Sequence, residues 1–137
     1  MQRKTGILTS LLILGTLLAP VALATSGDQS AQPVREAIVN FSEATKVGGV
    51  FVMGPVLIVH DDRMYLGEPC TTLYRFEPGV GRGEELATFA CVPKASKAVE
   101  KFTMYTDRDP MFGCPVLTAF QFPGEIETHG VPTTVFD

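Results

Sequence analysis

The stretch that most restricts the fold is Cys70–Val92, where "CTTLYRF" and "EELATFACV" flank the turn sequence "EPGVGRG". Two runs rich in Thr, Tyr, Phe and Val, joined by a glycine-rich turn, spell a β-hairpin. Centring the turn between Val80 and Gly81 sets Cys70 opposite Cys91, Thr72 opposite Phe89 and Tyr74 opposite Ala87. Directly opposed residues have Cβ atoms about 4.5–5.5 Å apart. A disulfide needs about 3.5–4.5 Å, and a small local twist closes that gap. The hairpin therefore predicts a Cys70–Cys91 disulfide and leaves Cys114 as a free thiol. The register follows from turn symmetry, and a one-residue slip would undo it. "GVGRG" has neither the Lys-Ser/Thr of a P-loop nor a strand-to-helix setting, so it reads as a turn and not as a phosphate cradle.

The N-terminus supplies the second constraint. Arg3 and Lys4 precede an apolar run from Ile7 to about Val21, followed by Ala22-Leu23-Ala24. A basic start, an apolar centre and an A-x-A site make residues 1–24 a secretory signal peptide, cleaved after Ala24. The alternative is an uncleaved membrane anchor over residues 7–24, near the lower length limit for a spanning helix. Either way the remainder is exported, to the periplasm or the extracellular space, where disulfides persist. Removing residues 1–24 takes away Arg3 and Lys4 and no acid, leaving 9 basic against 15 acidic residues, a net of −6. That balance argues against nucleic acid and against anionic membrane surfaces. "TSGDQSAQP" (25–33) is small and polar and reads as a disordered linker. Residues 34–137 are enough for one domain with one core.

Along that domain "VREAIVNFSEATK" fits both a helix and a strand, and its β-rich surroundings favour a strand. Val50–Met53 and Val56–His60 read as two extended segments hinged at Gly54-Pro55, the second apolar on both faces. "PKASKAVEK" is consistent with one or two helical turns. "FTMYT" and "VLTAFQF" are further strands, and "PGEIETHGVPTTVFD" a polar tail. The expected fold is all-β: a small antiparallel sandwich or barrel of about six to seven strands, with at most one short helix.

Chemistry concentrates in "VHDDRMYLGEPC", Val59 to Cys70. His60, Asp62 and Met64 are candidate metal ligands, with His129 as the one other histidine in the chain. His60 and Met64 with one or both cysteines suit copper(I), whereas His60, Asp62 and His129 suit zinc. The spacing matches no standard metal signature, and a strand ending in an aspartate-rich turn explains the segment without a metal. A two-histidine site requires His60 and His129 side chains within about 4–5 Å of each other. Cys114 lacks an adjacent base, and the acid pairs Asp61/Asp62, Glu84/Glu85 and Asp107/Asp109 sit at strand ends, so no catalytic constellation emerges. The expected function is that of an exported binding or interaction module, not an enzyme, needing no cofactor. Its partner would be a protein or envelope component, met at a β edge; a homo-oligomer would form through Cys114 or such an edge. The alternative is a small copper or zinc protein using His60, Met64 and His129.

Overall fold

The computed structural model describes residues 33–133. The expected signal peptide (1–24) and residues 25–32 of the linker lie outside that range. Eight strands follow one another: β1 (Val34–Val47), β2 (Val50–Asp61), β3 (Thr71–Glu77), β4 (Gly81–Phe89), β5 (Val92–Ala95), β6 (Thr103–Arg108), β7 (Pro115–Gln121) and β8 (Glu127–Gly130). They form one sheet in the order β4-β3-β2-β1-β7-β8-β5, with β6 paired to β7 off this path. The all-β expectation holds at that level. The sheet is mixed, because β1 and β7 run parallel where Lys46 meets Val116, and it does not close into a barrel. Among the described residues no helix is long and apolar enough to cross a membrane.

β1 resolves the helix-or-strand ambiguity through its period of two. Val39, Phe41, Thr45 and Val47 are buried while Ile38 stays exposed, as a pleated strand with one core face requires. A bulge between Phe41 and Thr45 keeps both halves of β1 in phase with β2. Gly48 and Gly49, both at positive φ, close the β1–β2 hairpin as its two-residue turn, which demands φ above zero at both positions. β2 is one continuous strand rather than two hinged segments, because β1 pairs with all of it but Met53, Gly54 and Pro55 included. The helical turns expected in "PKASKAVEK" are absent. Pro93, Lys94 and Ala95 extend instead and pair with His129, Thr128 and Glu127 of β8. Ladder pairing has overridden a weak local propensity there.

The β3–β4 register differs from the symmetric one. Glu77 faces Gly81 across the turn, and two irregularities follow before Thr71 reaches Phe89. Cys70 is thus set one residue short of the expected Cys91 alignment. The core is one cluster, with Phe120, Ile58, Leu73 and Leu117 among its fully buried side chains.

Candidate metal centre

Each candidate donor owes its place to strand alternation. Val56, Ile58 and His60 occupy every second position of β2 and are all buried, so the phase that builds the core also carries His60 inward. His60 lies between Arg35 of β1 and Thr71 of β3. Phe89 and Cys91 point inward in the same phase, and His129 of β8 stands opposite Phe120 of β7. These strands bring three buried residues together: His60, Cys91 and His129 offer ligand atoms that all lie within 4.8 Å of one another. The imidazole centroids are 4.1 Å apart. The two histidines therefore converge as a shared site requires.

Carboxylates hold the outer nitrogens of both rings. Nε2 of His60 lies 3.0 Å from Asp62 Oδ1, and Nε2 of His129 lies 3.0 Å from Glu125 Oε2. Arg35 joins the two acids: its Nη2 is 2.8 Å from Asp62 Oδ2, and its Nη1 pairs with Glu125 Oε1. The Glu125 carboxylate also accepts the Phe122 N–H at 2.9 Å. With those contacts the rings are fixed in orientation, and their far sides are held by groups that raise ligand basicity.

Asp62, Glu125 and His129 also converge closely enough to hold a cation. The Arg35 guanidinium already supplies the positive charge between those acids. The expected ligand Asp62 is thus placed behind His60, as its carboxylate partner.

On the inner side, His60 Nδ1 is 2.8 Å from the Thr71 hydroxyl and 3.9 Å from Cys91 Sγ. Thr71 Oγ1 lies 2.9 Å from Cys91 Sγ. Cys70 is beside them, its Sγ accepting the Cys91 N–H at 3.1 Å. All three cysteines are free thiols, so the expected Cys70–Cys91 disulfide is not formed. The register shift explains this: the two side chains meet diagonally, not face to face. Cys114 stands before β7, where its carbonyl accepts the Asp109 N–H at 2.9 Å, and it belongs to neither donor group.

The two neighbouring sulfurs differ sharply in acidity. The Cys91 thiol's hydrogen bond to Cys70 holds Cys70 down, to about 4, against the upward push of burial and with help from His60 and Thr71. That same bond, followed by burial, pushes Cys91 up. Burial opposes the charged form of His60, but the Cys70 hydrogen bond and the negative charges of Cys70, Asp62 and Glu125 together outweigh it, so its pKa is raised. A depressed thiol pKa contributes stability present above the ordinary value of 9.0 and lost as pH falls through about 4. The metal-free protein is therefore expected to alkylate at Cys70 between about pH 5 and 7, where an ordinary thiol is protonated. Peptide mapping after iodoacetamide treatment checks this, and modification of Cys91 ahead of Cys70 would refute it.

A cavity of about 190 Å³ opens onto the group, lined by His60, Cys70, Cys91 and His129 and bordered by Met64, Tyr65, Leu66 and Glu68. Met64 thus shares the cavity wall with both cysteines and both histidines. The sequence assigned Cys91 to a disulfide and otherwise offered the cysteines only as optional copper(I) sulfurs, so it did not single Cys91 out as a donor. Its inward phase with Phe89 was the available signal. No protein-family model matches the chain, and neither a curated protein nor a solved structure is significantly similar to it.

Proposed function

We propose that this protein is a metal-binding domain whose ligands are His60, Cys91 and His129, and whose ion is zinc or copper. The observation that carries this reading is the convergence of three buried donors within 4.8 Å, each histidine backed by a carboxylate. The 3.9 Å between His60 Nδ1 and Cys91 Sγ suits one ion bonded to both. With bonds of about 2.0–2.1 Å to nitrogen and 2.3 Å to sulfur, the N–metal–S angle is roughly 125°. Imidazole with thiolate selects zinc or copper over magnesium or calcium, which seek oxygen.

This reading takes up the alternative the sequence offered, a small copper or zinc protein, with Cys91 in place of Met64 among the ligands. The basic, apolar and A-x-A pattern of residues 1–24 supports an exported location for it. The test is elemental analysis of protein recovered by export from the full-length gene, then stripped and reloaded. About one ion per chain is expected, retained through dialysis and lost in Cys91→Ser. Cobalt loading should add an intense thiolate charge-transfer band that Cys91→Ser removes. Failure of zinc, cobalt and copper(I) all to be retained would end the reading.

A further inference from the structure

We propose that the ion is copper(I), held by the Cys70 thiolate together with Cys91, His60 and His129, and exchanged through Met64. The inference rests on the metal-binding reading above and deepens it.

The acids nearest the histidines are turned away from the ion. Asp62 and Glu125 engage the Nε2 atoms and Arg35. On the rim, Asp61 is held by Arg63 at 2.7 Å, and Glu68 accepts the Tyr65 N–H at 3.3 Å. Glu127, which also lines the cavity, has no such partner among these contacts. What faces the ion is sulfur and imidazole. Cys70 Sγ stands outside the three-donor group but beside it, 3.1 Å from the Cys91 N–H and 3.7 Å from the Thr71 hydroxyl. On copper binding its side chain is proposed to turn toward the ion as the fourth ligand. Two thiolates with two imidazoles suit either zinc or copper(I), so the pointer to copper(I) is the entry path, where Met64 offers a thioether in passing and is not one of the holding ligands. Met64 lies on the same cavity wall and is 43% exposed. A thioether is a ligand for copper(I) and contributes little to zinc.

The setting also fits exchange better than permanent retention. A structural zinc site is closed by its four ligands and has no need of a mouth. Here the donors open onto solvent past a lip of Met64, Tyr65 and Leu66, the last two 80% and 82% exposed. Copper(I) delivered as a complex with a small thiol would meet the Met64 sulfur first and the cysteines next. The bonds from copper to the donor thiolates break as those to Cys91 and Cys70 form. Any proton leaving a cysteine is taken up by a departing thiolate, and no electron moves.

The experiment loads the protein, recovered by export from the full-length gene, anaerobically from copper(I)–glutathione. Equilibrium affinity is read by competition with a chromogenic copper(I) chelator, and loading rate by stopped flow. The expected result is one copper(I) per chain taken in preference to equimolar zinc. Cys70→Ser should weaken it by about tenfold or more. Met64→Leu, conservative in size on an exposed loop, should leave the affinity unchanged and slow loading by about tenfold. Preference for zinc, an unchanged affinity in Cys70→Ser, or a wild-type loading rate in Met64→Leu each overturns the copper proposal while leaving the metal site standing. Binding of neither ion overturns both.

Discussion

Metal-loaded protein is expected to melt on the order of 10–20 °C above the stripped protein. A ligand that binds only the folded state stabilises it by about 4 kcal/mol when present at a thousand times its dissociation constant. For a domain of roughly 100 residues, each kcal/mol moves the melting temperature by about 4–8 °C. The unfolded chain keeps three cysteines and two histidines, and their residual metal binding reduces the gain. Cys91→Ser should abolish the shift while changing the metal-free melting temperature much less, because serine occupies nearly the same volume. Calorimetry of loaded and stripped samples at fixed free metal separates these outcomes. A shift that survives in Cys91→Ser would place the ion elsewhere on the chain.

The same residues show how much of this was legible before the fold was known. His60 could be picked out because it stands in the one segment that crowds a histidine, two aspartates, a methionine and a cysteine together. That it points into the core in phase with Val56 and Ile58 comes from the structure, since the segment is apolar on both faces. His129 was visible only as the second histidine. Nothing in "ETHGVP" marks a strand, and β8 becomes one by pairing with β5, a segment whose local preference was helical. The hairpin was legible, but its register was not: irregularities between Leu73 and Phe76 shift it, and these depend on how β4 settles against the whole sheet. One residue of register separates a disulfide from two free thiols beside two histidines. The Arg35–Glu125 pair, 90 positions apart, has no local signature at all. Long-range partners of this kind are set by topology, which a single sequence does not reveal.

Arg35 carries the second large expected effect. Arg35→Met is expected to destabilise the domain by about 2–3 kcal/mol and to weaken metal binding by about 10–100-fold. Removing one member of a fully buried ion pair costs about 3–5 kcal/mol, because the partner is left charged and uncompensated. Here the arginine side chain is 23% exposed and Asp62 31%, whereas Glu125 is 8%. Solvent offsets part of the loss at Asp62 and little of it at Glu125, which sets the estimate below the fully buried range. Methionine matches the arginine stem but removes the guanidinium, which sits over the Phe122 ring at 5.9 Å. The effect on the metal is indirect: freed from Arg35, the two carboxylates no longer hold the imidazoles in one orientation. Arg35→Lys discriminates charge from geometry. It restores a cation but not the fork that reaches both acids at once, so it should recover more of the stability than of the affinity. Urea unfolding at constant m-value reads the first quantity, and chelator competition the second. Equal recovery of both would mean that Arg35 acts only as a charge; full affinity in Arg35→Met would mean that the histidines are oriented by the sheet alone.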